Sequence, residues 1–330
     1  MRHVVFVLLA AICFGTTGTA QEFGPDGASA LSVGAARIAI GGGALALVAW
    51  LARVKFARAG ETSPARGRMT RAQASTRGGS IPVAPEGAIA TAAVAGSFAA
   101  PTWLLIAFGA AGVVAYQPAF FLGTSLNGVA VGTIVALGSA PIITGALEWA
   151  VTRVFPGIVW LVATLVATIG VVLLTGVGGA DAISIDGLAA SLAAGASYGV
   201  YGLASKRLLV RGWTPTAAMG SVFGWAAVAS APLLLLTDLR WLATGSGVAM
   251  ALWLGLATTT VGYLLYARGL IGLTAATVST LTLAEPLTAT LLGILILNEQ
   301  LSGSAVIGII VLALGLVLLV LPRRAPAKSA

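Results

Sequence analysis

Along the chain, blocks of about 17 to 24 mostly apolar residues alternate with short polar links. A helix needs about 20 apolar residues to cross a hydrocarbon layer of roughly 30 Å. By that measure the blocks predict ten transmembrane helices, at 4–20, 30–52, 103–122, 128–149, 157–176, 187–205, 216–236, 248–267, 274–297 and 304–321. Links such as "GVGGADAISID" and "TDLRWLATGSG" carry the Gly, Asp and Thr that end helices. Shorter breaks, "RVFPG" and "RGLIG", divide the fourth span from the fifth and the eighth from the ninth. The expected fold class is therefore an all-α integral membrane protein.

The polar links also orient the spans, because Lys and Arg accumulate on the cytoplasmic side of membrane proteins. With the N-terminus inside and ten alternating spans, every basic residue except Arg37 and Arg240 falls on the cytoplasmic side. Glu22, Asp26, Asp181, Asp186 and Asp238 then fall outside. Both termini are expected in the cytoplasm, the membrane being the inner or plasma membrane.

Composition sharpens this picture. Hydrophobic residues make up 58% of the chain and charged residues 8%, against about 25% charged in soluble domains. A water-soluble fold of this size could not cover its surface with so few charges. The net charge of +8 is concentrated, seven basic residues lying between Arg53 and Arg77. That run is rich in Gly, Ser and Ala and poor in aromatics, which disfavours nucleic acid and points to a cytoplasmic loop over 53–100, near anionic lipid. Cys13 and His3 are single residues of their kinds, so neither an internal disulfide nor a structural zinc site of about four N or S ligands is expected. No cofactor is expected either.

An internal repeat underlies the ten spans. "NGVAVGTIVALGSAPIIT", from Asn127, aligns without gaps with "GLTAATVSTLTLAEPLTA", from Gly272, at an offset of 145. Pro141 falls on Pro286, and Gly170 on Gly315. "FGTTGTA", from Phe14, matches "YGVYGLA", from Tyr198, at an offset of 184. The offsets differ by 39, the excess length of the basic loop over its counterpart between the seventh and eighth spans. Five spans per half is an odd number, so the halves must cross the membrane with opposite topology. Such inverted repeats place a substrate site between the halves, near the midplane. The expected units are 1–176 and 177–322, followed by a basic tail at 323–330.

The repeat also decides between two readings of "MRHVVFVLLAAICFGTTGTAQEF", a cleavable secretory signal or a permanent first span. Cleavage would leave nine spans and "YGVYGLA" without a partner, so a retained span is expected, with "GTTGTA" allowing close helix packing. Lipid attachment at Cys13 is disfavoured by Ile12, where a small residue belongs.

Three segments carry a family likeness: "LTLAEPLTATLLGILILNEQLSGSAVIGIIVLALGLVLL", "LAAGASYGVYGLASKRLL" and "GAARIAIGGG". With them the chain resembles the drug/metabolite transporter superfamily, in its ten-span branch with two EamA-type domains. Phe14 stands where that branch often has Trp, and the first-half counterpart of Glu299 is Val154. The resemblance implies transport of small metabolites such as amino acids and amines, usually export.

Ionisable groups inside a membrane are functional candidates by default. Glu285 lies in the middle of the ninth span before Pro286, whose missing N–H usually kinks a helix; out of water, its carboxyl suits binding of a substrate ammonium or exchange of a proton. Arg37 in the second span is either a snorkelling side chain or an anchor for a substrate carboxylate. Tyr116 and Gln117 of "AYQPAFF", Tyr198 and Tyr201 of the sixth span, Trp225 of the seventh and Tyr263 of the eighth would supply stacking and cation–π contacts. Glu148, Arg153 and Glu299, near span ends, are expected to form gate or interfacial ion pairs, Glu148 with Arg153 or with headgroups. No catalytic constellation and no phosphate-binding Gly loop is present in the sequence. The expected function is a secondary transporter working by alternating access, exporting amino acids or similar metabolites, with proton coupling through Glu285. A membrane-embedded enzyme acting on lipid or isoprenoid carriers, and a channel or scaffold, are the alternatives. Monomer and homodimer both stay open.

Overall fold

A computed structural model describes residues 1–61, 100–175 and 183–321, with side chains to Val54 in the first of these stretches. The greater part of the expected basic loop, the link at 176–182 and the tail lie outside the described residues. The described residues are helical and contain no strand. Nine helical elements follow one another: α1 (Arg2–Glu22), α2 (Ala30–Glu61), α3 (Thr102–Thr152), α4 (Ile158–Thr175), α5 (Ile185–Val210), α6 (Pro215–Leu235), α7 (Gly245–Gly272), α8 (Ala275–Leu297) and α9 (Gly303–Val320). The all-α membrane fold read from the apolar blocks is the fold observed. Helix α2 runs past residue 53, so the first residues of the expected loop continue a helix; Ala, Arg and Lys favour that conformation.

By length and apolar composition, eight helices among the described residues are able to cross a membrane, against the ten expected. Two features account for the difference. Helix α3 has 51 residues, about 75 Å at 1.5 Å per residue, far more than one crossing needs. It is broken at Gly128 (φ 77°, ψ 158°), a conformation open to glycine, so the third and fourth blocks are counted as one. Helix α5 is too rich in Ser, Gly and Tyr to reach the apolar threshold.

Two further irregularities lie in the second half. Helix α7 contains a π-helical stretch, Trp253–Val261, where the hydroxyls of Thr258 and Thr259 return to the carbonyl of Leu254 at 2.6 and 2.9 Å. Helix α8 consists of Ala275–Leu281 and Ala284–Leu297, interrupted at Thr282 and Leu283. Pro286 explains the interruption. It has no N–H to give the carbonyl of Thr282, four residues back, and the N–H of Glu285 takes that carbonyl instead at 2.9 Å.

The packing repeats itself as the alignment does. A methyl group at Gly170 of α4 would run into the backbone of Leu312 in α9, and one at Gly315 of α9 would run into the backbone of Ala167 in α4. The offset of 145 exchanges these two contacts: Gly170 maps to Gly315 and Ala167 to Leu312. The α4–α9 crossing is thus a pseudo-two-fold contact within one chain. Helix α1 packs on α7 and α8, while its repeat mate α5 packs on α3. The small residues of "FGTTG" serve this packing at Gly15, which sits against Thr288 and the Glu285 carbonyl; Gly18 faces open space.

Candidate functional site

Where the irregular parts of α7 and α8 come together with α1, α2, α3, α5 and α6, they enclose a cavity. Its lining includes Phe14, Arg37, Ile38, Val113, Tyr116, Gln117, Leu137, Ala140, Tyr198, Tyr201, Phe223, Thr259, Tyr263, Ser279, Thr282, Leu283 and Glu285. The space between these atoms, counting its mouth, is ≈ 800 Å³. Every one of those helices contributes, so the site draws on residues from Phe14 to Glu285. Seven of the eight expected binding or coupling residues are here: Glu285, Tyr116, Gln117, Tyr198, Tyr201, Tyr263 and Arg37.

Local structure explains how each is presented. Glu285 follows the α8 interruption and opens the second helical part, so its side chain enters the cavity from a break in the bundle. Arg37 points inward rather than snorkelling outward; its Nε donates to Thr259 Oγ1 at 3.2 Å, on the π-helical stretch of α7. Such stretches often occur at functional sites, because the widened turn re-aims side chains. Arg37 and Glu285 are near enough to interact electrostatically. Gln117 lies over Gly34 of α2, where a Cβ would press on its side chain at 3.1 Å.

The aromatic residues other than Tyr116 form one connected wall. Phe14 and Tyr263 have ring centroids 5.0 Å apart, Phe223 and Tyr263 4.1 Å, and Tyr201 and Tyr263 5.9 Å. Tyr198 meets Tyr201 edge-on at 5.0 Å. Its hydroxyl shares a hydrogen bond of 2.8 Å with Thr282 at the α8 break. Tyr116 stacks on Phe120 at 5.7 Å. The result is a half-apolar chamber carrying one cationic and one anionic side chain.

Three sequence expectations find a different place. Trp225 is 62% exposed on the outer surface of α6 and does not line the cavity. Glu148 does not sit at a headgroup interface or on Arg153. It is 5% exposed and accepts the N–H groups of Ala275, at 3.2 Å, and Ala276, at 2.8 Å, at the start of α8. Arg153 is exposed and ends α3 in a left-handed conformation, φ 59°. Glu299 is exposed, as expected of a span end, with its carboxylate over Gly293 of α8. Thr259, Thr282 and Ser279 were not foreseen as lining residues; three consecutive threonines inside an apolar span were the available signal. Among the described residues no group of three or more His, Cys, Asp or Glu could hold a metal ion.

A protein of Bacillus subtilis (strain 168) named "Uncharacterized transporter YwfM" is 36% identical to this chain over 327 residues, covering 99% of this chain and 95% of its own. The model of the EamA-like transporter family matches residues 186–321. The chain belongs to the EamA-like transporter family. An "Uncharacterized transporter" of Clostridium kluyveri is 30% identical over 166 residues, 47% of this chain and 52% of its own. A solved crystal structure shares the fold of this EamA-like transporter, with a TM-score of 0.71 at 18% identity over 96% of both chains. The protein is a multi-pass membrane transporter, and the cavity enclosed by its helices is the candidate transport site.

Proposed function

We propose that this transporter exports amino acids or similar small amphipathic metabolites by alternating access, with proton coupling at Glu285. The observation that supports this most is the pairing of Arg37 and Glu285 in one aromatic-walled chamber. A guanidinium suits a substrate carboxylate, which it can grip with two N–H groups. A carboxylate nearby suits the substrate ammonium, and Tyr198, Tyr201 and Tyr263 offer π faces to the same cation. Between turnovers a proton takes the place of the ammonium on Glu285, so that the buried carboxylate is never left bare. The inverted repeat supports two alternating openings around one fixed chamber. The inner or plasma membrane, cytoplasmic termini and anionic lipid beneath the basic loop belong to the same proposal, as does a non-enzymatic role.

The test is uptake of labelled amino acids and amines into proteoliposomes, with and without a pH gradient. Saturable, gradient-stimulated flux is expected. In Glu285→Gln the gradient should lose its effect, while exchange of substrate across the membrane persists. Unchanged gradient-driven flux in that variant would remove Glu285 from coupling, and flux that never saturates would point to a channel.

A further inference from the structure

We propose that the corner joining α7 to α8 is the inner gate of the transporter, latched by Glu148, Lys206 and His3. This rests on the alternating-access reading and names the element that moves. The corner breaks at Leu273, φ −123°, and Thr274, leaving carbonyls at the end of α7 and N–H groups at the start of α8 to be satisfied from elsewhere. Three side chains do so. Glu148, from α3, takes the N–H groups of Ala275 and Ala276. Lys206, from α5, donates to the carbonyl of Leu270 at 2.7 Å. His3, from α1, meets the carbonyl of Arg268 at 2.9 Å, and since a carbonyl only accepts, its Nδ1 carries the proton. An anion holds the helix start and a lysine the helix end, each at the pole that attracts it.

Position makes this latch a gate. Ala140 on α3, Tyr201 on α5 and Tyr263 on α7 line the chamber, and Glu148, Lys206 and Leu270 lie one to two turns further along those same helices. On α8, which runs the other way, Ser279 lines the chamber and Ala276 precedes it. All four helices therefore put the latch on one side of the chamber, the side that the basic residues assign to the cytoplasm. The corner also has its own hinges. The π-helical stretch ends at Val261 and the α8 interruption begins at Thr282, so Gly262–Leu281 is a hairpin with irregular backbone at both roots. Backbone of this kind absorbs rotation that a regular helix resists.

Burial gives the latch two states. Glu148 and Lys206 are 5% and 6% exposed. Charges this deep are held only while their hydrogen bonds are complete, and half a latch is worse than none. When the hairpin swings, both groups meet water together, which makes the change all-or-none.

Cysteine accessibility tests the gate without any substrate. In a Cys13→Ala background, Leu137→Cys places a thiol on the chamber wall, and a membrane-impermeant maleimide is applied from the cytoplasmic face of inside-out vesicles. Glu148→Ala and Lys206→Met should each speed labelling by about tenfold or more, since either removes a buried charged group whose hydrogen bonds hold the corner. His3→Ala, a change at a half-buried residue near the start of α1, should speed it less but in the same direction. Labelling at the parental rate in all three variants, with each shown monodisperse in detergent, would overturn the gate. Labelling does not depend on what is carried, so failure of the amino acid reading leaves this result standing, and normal export with unaltered labelling removes the gate alone.

Discussion

The corner at Gly128 and the corner at Leu273 lie 145 residues apart, the offset of the internal alignment, yet they are held by different chemistry. At the first, Asn127 exchanges a pair of neutral hydrogen bonds with the backbone of Ser184, at 3.0 and 2.7 Å, where α5 begins. At the second, Glu148 and Lys206 bring opposite charges into the interior. A neutral amide pair costs little to expose to water and little to re-form. A buried charged pair costs several kcal/mol to disturb by halves, so it divides a moving element into two discrete states. One fold has thus placed a soft joint at one end of its pseudo-symmetric frame and a stiff latch at the other. A backbone break recurs at both ends, left-handed at Gly128 and extended at Leu273, and the side chains that hold it differ in charge.

Deleting one side of each joint should expose that difference most strongly. Glu148→Ala removes a buried carboxylate from two N–H groups and an opposite charge from the surroundings of the buried Lys206, for a loss of about 3–5 kcal/mol. Asn127→Ala removes two hydrogen bonds at a partly exposed site and should cost only about 1–2 kcal/mol. Thermal unfolding in detergent, followed by tryptophan fluorescence, measures both. Equal losses would mean that the charged latch carries no special weight.

A second contrast lies between the repeat mates Gly15 and Gly199. A methyl at Gly15 would come within 2.6 Å of Thr288 and 2.8 Å of the Glu285 carbonyl, and backbone cannot step aside. A methyl at Gly199 would meet only the Leu147 side-chain tip and Thr144, at 3.1 Å or more. Gly15→Ala should therefore cost about 1–3 kcal/mol by overpacking. It should also disturb transport, because the crowded carbonyl belongs to the residue proposed to couple protons. Gly199→Ala should be near neutral in both measurements. Similar behaviour of the two would show that α1 yields where the geometry says it cannot.

How much of this could be read beforehand depends on what kind of signal each feature leaves. Apolar blocks of spanning length are written in composition, and the fold class followed from them. The repeat was read from Pro141 with Pro286 and Gly170 with Gly315 at one spacing, and the glycine contacts of the α4–α9 crossing keep that spacing. The tyrosines and Glu285 were legible as polar groups in costly places. Facing was not legible, because a helix in lipid is apolar all round and has no polar stripe to mark its outside. Trp225 was assigned inward for that reason. Nor could the partner of Glu148 be read, since it bonds backbone N–H groups 127 and 128 residues away, and every residue but proline offers one. The π-helical stretch left only the run of threonines that now braces it.

Trp225 supplies the smallest expected effect and the cleanest check on facing. Its ring lies among lipid-facing residues of α6, while Phe223, two positions earlier, is 1% exposed and reaches the chamber wall. Two positions along a helix turn a side chain by about 200°, so one residue faces in and the other out. Trp225→Ala removes a ring that lipid can replace, and should change flux and stability within about 0.5 kcal/mol, as surface substitutions do. Phe223→Ala empties a buried position against Tyr263, should cost about 3–5 kcal/mol, and should alter substrate affinity as the aromatic wall loosens. A Trp225→Ala variant that loses transport while Phe223→Ala keeps it would reverse the facing of α6 and, with it, the side of the chamber that the second repeat contributes.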